Sequence, residues 1–477
     1  MVRSPEPEVV FSMEKMTKGE GQEVEKLILY AEAFWVGEDE TVYLLDAYGR
    51  KIVCWNGKQV TYIQLSDSML PTDMIYKNEE FYIYDESEQE LEIYDKKGNL
   101  LFVKKVVLEQ DYVKGLEERE EEVVLITYGG KEWFANRTNG ALLSRDKSVE
   151  TVEIIAKGDF SEYLGTDANG NIYSANTTLV SESSIITGEI SISVVSPKGK
   201  VFGNYYLPLE QYTYLPKRYV QVKENGSVYI LIPMENAYEV WELPLYLNSQ
   251  SRMEQVQQEA IQKEEEYAKE NKAPREKVSL TREEMLKRAN SIVNHSWQMK
   301  KENVTIIYSQ GSILTRQIQF IQEENKDKKS WEVSMVGIPY CWGGFNSLYN
   351  PEENKRFDYL IQKKAYTAGN INTEEYYIYY TAGLDCSGYV GAVYGMNTKV
   401  NTTSFSDMGT KIVDRKKLQS MDMIVAPADH IMLFCDWIDE GTWLVTEATI
   451  RDGKTVTHPK RLNELLVFGS YQMRSPW

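Results

Sequence analysis

Gly383-Leu384-Asp385-Cys386-Ser387-Gly388-Tyr389-Val390 decides how the second half of this chain is read. A cysteine follows a short extended run and precedes the apolar positions Tyr389, Val390, Val393 and Tyr394, which end at Gly395. The spacing predicts an amphipathic helix with Cys386 at its N-terminus. The free N–H groups and the dipole at a helix start favour negative charge. Thiols placed there ionise at roughly 3.5 to 7.5 rather than about 8.5. The thiolate is the attacking form, so the position suits a nucleophile. The small neighbours Ser387 and Gly388 are expected to let a substrate carbonyl approach the backbone N–H groups that would hold its oxyanion.

A nucleophilic thiolate needs a base, and the chain offers three histidines. His430 opens the strand His430-Ile431-Met432-Leu433-Phe434 just after the loop Ala426-Pro427-Ala428-Asp429, and stands 44 residues beyond Cys386. It is read as the base. His295 is read as lying on the helix that precedes the domain, a surface or packing residue. His458, in Thr457-His458-Pro459, is read as a structural residue in a turn. The next strand, Trp443-Leu444-Val445-Thr446-Glu447-Ala448, brings Glu447 close to His430 if the two strands form a hairpin, and a third polar group of this kind orients an imidazole. The other cysteines, Cys54, Cys341 and Cys435, are read as small buried hydrophobes. Four cysteines are too few for a disulfide framework in a chain of 477 residues.

The first half reads as strands. Tyr43-Leu44-Leu45-Asp46 and Ile52-Val53-Cys54-Trp55 are followed by the turn Asn56-Gly57, a strong hairpin signal. Similar units centre on Phe81–Asp85 with Leu91–Asp95, on Val123–Ile126, on Gly170–Tyr173, and on Val228–Leu231 after the turn Asn225-Gly226. These anchors recur at about 40 to 55 residues, the period of a propeller blade. The expectation is an all-β propeller over 1–247 with about six blades, extra strands near Glu8–Phe11 and Leu27–Tyr30 closing the ring. A pair of β-sandwiches is the alternative. Residues 248–276, rich in Gln, Glu and Lys, read as a charged helical linker. Thr281-Arg282-Glu283-Glu284 then matches a capping box. It opens a helix whose apolar face is Met285, Leu286, Ala289, Ile292 and Val293, the first element of a domain over 277–477.

Apolar residues are 42% and charged residues 26% of the chain, as in ordinary globular proteins. The net charge of −19 argues against nucleic acid and against passive adsorption to anionic membranes or wall polymers. No run reaches the length of a membrane span. The polar, acidic start Met1-Val2-Arg3-Ser4-Pro5-Glu6-Pro7-Glu8 lacks the apolar core of a signal peptide. It fits a cytoplasmic protein or one whose leader was removed. No metal or cofactor is expected, because no histidine precedes His295 and no loop carries aspartates at ligand spacing.

Taken in order, Tyr340-Cys341-Trp342-Gly343-Gly344, Asp385-Cys386-Ser387-Gly388, Met421-Asp422, His430 and Glu447-Ala448 resemble the NlpC-type family, papain-like cysteine endopeptidases of bacterial cell walls. The resemblance covers roughly Gly337 to Tyr471. It implies an α+β papain-like domain with the nucleophile helix packed on an antiparallel sheet. It implies hydrolysis of an amide in peptidoglycan stem peptides, often after γ-D-glutamate, by Cys386, His430 and Glu447. It further implies that Tyr340, Trp342, Asp385 and Ser387 line the substrate site, and that the protein is extracellular or wall-associated. The chain departs from the family in having Met421 where a glycine is usual and Glu447 where His, Asn or Gln is usual. Its segment between Gly344 and Asp385 is also longer and carries Tyr376, Tyr377, Tyr379 and Tyr380, read as added core or as a wall of the cleft. The propeller is expected to bind wall, polysaccharide or a protein partner. Two other readings differ in kind: a surface-binding protein with a vestigial peptidase fold, and an enzyme using the same acyl-enzyme for transfer.

Overall fold

The computed structural model describes the chain from Glu8 to Met473 except 15–30, 48, 67–68, 87, 107, 109–110, 120–121, 136–141, 147–159, 181–185, 213, 235–236, 248–255, 259, 263–277, 305–310, 374–376 and 467–468. Two compact units are present, one of residues 1–179 and 189–252, the other of 180–188 and 253–477.

The first unit is built from four-stranded antiparallel sheets, five among the described residues, spanning 31–64, 71–105, 113–146, 160–206, and 220–242 together with 8–14. The innermost strands, Ala31–Val36, Pro71–Lys77, Val113–Glu118, Phe160–Thr166 and Val220–Val222, lie side by side in that order, and the last lies against the first. The ring is therefore closed with five blades where about six were expected. The reason is the N-terminal strand Glu8–Glu14. It pairs with Ala237–Glu242 as the fourth strand of the fifth blade and starts no blade of its own. Leu27–Tyr30 lies outside the described residues.

The sequence anchors fall on the second strand of each blade. Val42–Asp46 and Val123–Thr127 are buried at every position, because such a strand is covered on both faces by neighbouring blades. Continuous apolar runs are the mark of strands buried on both sides. Turns recur with an aspartate at their start. Asp95 accepts from the N–H groups of Lys97 and Asn99, and Asp167 from those of Asn169 and Asn171. This is the Asx pattern that lets a short polar side chain replace a turn's backbone partner.

At the centre of the ring Arg218 grips Asp73 through two bonds, Nε to Oδ1 at 2.8 Å and the second nitrogen to Oδ2 at 2.9 Å. Arg218 also donates to Leu116 O at 2.5 Å, and its backbone N–H donates to Glu32 O at 2.9 Å. Asp73 in turn accepts from Leu116 N at 2.7 Å. One ion pair thus joins the inner strands of the first, second and third blades to the approach to the fifth. Burial would raise the Asp73 carboxyl, but the Arg218 charge and hydrogen bonds outweigh it and hold it below its ordinary value.

The second unit is α+β. Its helices are α1 (Arg282–Val293), α2 (Arg316–Glu324), α3 (Phe357–Lys364), α4 (Cys386–Val393) and α5 (Thr402–Met408). Its main sheet holds β1 (Gly409–Lys411), β2 (Met423–Ala426), β3 (His430–Asp439), β4 (Thr442–Thr449), β5 (Lys454–Arg461) and β6 (Gly469–Met473), paired antiparallel in the order β1-β6-β2-β3-β4-β5. Thr281 caps α1 in a full capping box, and Met285, Ala289 and Ile292 are buried in the same core as α4 and the sheet. Most of the expected linker lies outside the described residues. Only 256–258 and 260–262 are described there, as helix. No helix among the described residues is long and apolar enough to cross a membrane.

Replacing Asp73 by Asn leaves the Arg218 charge without its partner in the ring centre. The expected cost is about 3 kcal/mol or more, the usual penalty for breaking a buried pair, read as a lower urea midpoint for the propeller transition. Because the Asp73 carboxyl is held low, the pair's contribution is present above the unfolded value of about 3.9. It is lost as pH falls below that, so wild type and D73N should converge in stability in acid.

Candidate active site

Cys386 is the first residue of α4, with Asp385 as the helix cap. All eight residues of α4 are buried. The predicted amphipathic helix is in fact buried all round and lies inside the unit against β3 and β4. The cap is built by one carboxylate. Asp385 Oδ1 accepts from Gly388 N at 2.6 Å and from Ser387 Oγ at 3.0 Å. Its Oδ2 accepts from Gly343 N at 3.0 Å and pairs with Lys399 Nζ at 2.8 Å. Lys399 also donates to Ser387 Oγ at 3.0 Å.

The Tyr340–Gly344 loop lies directly on this helix start. Cys341 N donates to Leu384 O at 3.0 Å and Asp385 N to Gly344 O at 3.3 Å. A Cβ on Gly388 would stand 2.1 Å from Gly344 O, and one on Gly344 would stand 2.6 Å from Gly383 O. The glycines therefore serve backbone packing between the two motifs. Gly388 was expected to clear space for a substrate carbonyl, but its open side is filled by Gly344 and its N–H is taken by Asp385. The helix-start N–H groups that remain without an intrahelical acceptor are those of Cys386 and Ser387.

His430 sits at the first position of β3 and is hydrogen-bonded to Cys386. Its Nε2 contacts Glu447 Oε2 on the neighbouring strand β4. Glu447 is 2% exposed. Its other oxygen is 2.5 Å from His458 Nε2 and 3.7 Å from Lys460 Nζ, both on β5. The structure thus brings Cys386, His430 and Glu447 together, with Tyr340 buried beside Cys386 and Asp385. Trp342 is half-buried against the core, its backbone N–H bonded to Asn370 O at 2.7 Å. Among the described residues no group of three His, Cys, Asp or Glu side chains is arranged to hold a metal ion.

No protein-family model and no curated protein matches this chain. Solved structures that this chain matches include a streptogramin B lyase, at 8% identity and TM-score 0.31 over 45% of this chain and 93% of that one. Others are a glutaminyl cyclase from Myxococcus xanthus (11%, TM-score 0.30, 51% of this chain and 97% of that one) and the WD40 β-propeller domain of Doa1 (12%, TM-score 0.23, 43% and 61%). Scores this low say nothing of chemistry. The propeller stands on its own strand pairing and closed ring.

Sequence reasoning missed three site neighbours. His458 was expected in a turn because Pro459 follows it, yet both lie in β5. β5 is the edge strand of the sheet, the place where proline's missing N–H costs no ladder bond. Two residues apart on one strand, His458 and Lys460 share a face, and that spacing is the signal that was available. Lys399 had none. His295 follows α1 and its Nε2 is 2.7 Å from Asp358 Oδ1, away from the thiol. Of the aromatic cluster, Tyr376 lies outside the described residues and Tyr377 is half-buried with its hydroxyl donating to Thr381 O at 3.1 Å. Tyr379 and Tyr380 face solvent, 77% and 49% exposed, so they add nothing to the core.

The electrostatics follow from these contacts. Burial would lower the His430 imidazole, but the Glu447 charge and the hydrogen bonds to Cys386 and Glu447 overcome it and push it up to about 10. Glu447 would be raised by burial, yet Lys460 first, then His430 and the bond from His458, hold it well below the usual carboxylate range. Burial pushes Cys341 and Cys435 up to about 12 and Cys54 up to about 11, so these three stay thiols near neutrality.

Iodoacetamide near neutral pH should therefore modify Cys386 at least about tenfold faster than Cys54, Cys341 or Cys435, read by peptide mass spectrometry, and His430→Ala should slow it. Equal labelling of the four would exclude an activated nucleophile. The raised imidazole also sets a stability profile. Its contribution is complete below the unfolded value of about 6.5 and is lost as pH rises through about 10. Urea unfolding across that window should show wild type losing an advantage over His430→Asn.

Proposed function

We propose that the chain is a cysteine hydrolase of the NlpC type that cleaves an amide bond in peptidoglycan stem peptides. The observation that carries this reading is the chain of contacts from Cys386 at a buried helix start to His430 and on to Glu447. The ordered motifs around it, from Tyr340 to Glu447, support the reading by their resemblance to the NlpC type, whose substrates are wall peptides. An intact nucleophile and base favour this over a binding protein with a vestigial domain.

In this mechanism Cys386 attacks as the thiolate, its charge balanced by the His430 imidazolium. The sulfur forms a bond to the amide carbon, and the carbonyl electron pair moves onto oxygen. In this reading the N–H groups of Cys386 and Ser387 at the start of α4 receive that oxyanion. His430 gives its proton to the leaving nitrogen as the C–N bond breaks, leaving a thioester and a neutral imidazole. Water then attacks the thioester, passing a proton to His430, and the acid product leaves as the thiolate and imidazolium are restored. Glu447 holds the ring in the orientation this proton traffic needs.

Tyr340 beside the nucleophile and Trp342 on the same loop are the side chains assigned to the substrate. Asp385 and Ser387 bound the site through the loop and Lys399 that they hold. The propeller is assigned to targeting, toward wall, polysaccharide or a protein partner, in an extracellular or wall-associated setting.

Purified muropeptides incubated with the full chain should yield shortened stem peptides by mass spectrometry, and Cys386→Ala should yield none. Glu447→Gln should keep binding but lower kcat, because the amide still orients the ring without balancing the imidazolium charge. Intact muropeptides after prolonged incubation with wild type would sink the assignment of substrate.

A further inference from the structure

Glu447 is more enclosed than an orienting carboxylate needs to be. His430 takes one oxygen; His458 lies 2.5 Å and Lys460 3.7 Å from the other. The site is crowded with groups that trade protons. Around His430 stand Cys386 and Glu447, and Tyr340 and Asp385 stand beside Cys386. Around Glu447 stand His430 from β3, His458 and Lys460 from β5, and Tyr389 from α4, whose hydroxyl is bonded to Thr446. Lys460 is shared with Glu464, itself paired with Arg461 at 2.6 Å.

A buried imidazole–carboxylate pair can hold its proton on either partner. Desolvation penalises charge on both, so a dry pair drifts toward the neutral form with the proton on the carboxylate. That form would leave the thiol facing a neutral ring. A hydrogen-bond donor and a cation on the far side of the carboxylate favour its ionised form and return the proton to the imidazole.

We infer that His458 and Lys460 are positioning residues for the reaction proposed above: by holding Glu447 ionised from behind, they keep the proton on His430 and so keep the thiol–imidazole pair primed. The inference rests on the assignment of Cys386 and His430 as nucleophile and base. The arrangement accounts for a carboxylate at this position. An amide or imidazole orients a histidine without carrying charge, whereas a buried glutamate serves only if its charge is secured. The hairpin register supplies the means: Glu447 stands opposite Val456, and His458, two positions along opposite Val445, is its diagonal neighbour on the same face.

The test reads the thiol and needs no substrate. The pH at which Cys386 becomes reactive to iodoacetamide is measured in the full chain by peptide mass spectrometry, for wild type, His430→Ala, His458→Leu, His458→Gln and Lys460→Met. In His458→Leu and Lys460→Met the onset should lie higher by about one on the pH scale, so the rate near neutrality should fall about tenfold. Gln restores an N–H donor toward Glu447, so His458→Gln should recover most of the rate. A purely structural role would not separate Gln from Leu. Should His458→Leu fail to fold by circular dichroism, Lys460→Met carries the test, since this side chain lies on the edge strand and is 20% exposed. If His430→Ala slows labelling while His458→Leu and Lys460→Met do not, the inference falls and the nucleophile assignment stands. If Gln is as slow as Leu, the donor role falls. If His430→Ala leaves labelling unchanged, the base assignment falls and takes this inference with it.

Discussion

The position of Cys386 depends on one buried carboxylate, Asp385. Its two oxygens engage the first turn of α4 through Gly388, the Tyr340–Gly344 loop through Gly343, and Lys399. Removing it would free a helix start, a loop and an ammonium together. Because Gly344 and Gly388 bring two backbones into contact with no side chain between them, small changes in the cap would be passed straight to the sulfur. Asp385 thus earns its place in the motif as a cap and tie, and Ser387, bonded to both Asp385 and Lys399, extends the same network.

Both units bury charge, and they do so for different ends. In the propeller, Asp73 and Arg218 form a closed bidentate pair whose other bonds go to backbone groups of neighbouring blades. Nothing there is left to react, and the pair serves to register the strands. In the second unit the buried carboxylate Glu447 is shared among His430, His458 and Lys460. One of those partners also faces a thiol. The same physics, a desolvated carboxylate stabilised by cations, gives a fixed joint in one case and, in the other, a carboxylate shared with an imidazole that faces a thiol.

Much of this was legible in the sequence where local chemistry dictates local structure. The capping box at Thr281, the Asn-Gly turns, and the helix start at Cys386 each rest on neighbours a few residues away. The hairpin that joins His430 to Glu447 was legible because consecutive strands usually pair. What escaped depended on distant partners. The blade number turned on Glu8–Glu14 pairing with Ala237–Glu242, a contact between distant segments that no local pattern encodes. The role of His458 was hidden because a following proline reads as a turn until the strand is known to lie at a sheet edge. Lys399 reaches Asp385 and Ser387 across the buried α4, and a lone lysine after a helix carries no mark of its destination.

The Met421-Asp422 pair shows what a motif must keep when its residues change. Met421 adopts φ +71°, a left-handed conformation that glycine takes freely and a side chain resists. Its backbone is pinned on both sides, the N–H donating to Phe434 O at 2.6 Å and the carbonyl accepting from Tyr394 at 2.7 Å. The next residue, Asp422, is buried and pairs with Arg282 of α1 at 2.7 Å while accepting from Gln419 N at 2.8 Å. Moving Met421 into an unstrained conformation would break this lock between α1, the C-terminal end of α4 and β3. A cost of order 1 kcal/mol at one residue is small beside the loss of several buried hydrogen bonds at roughly 1 kcal/mol each. The backbone shape is therefore the feature the fold requires at this turn, and glycine is only the least strained way to supply it.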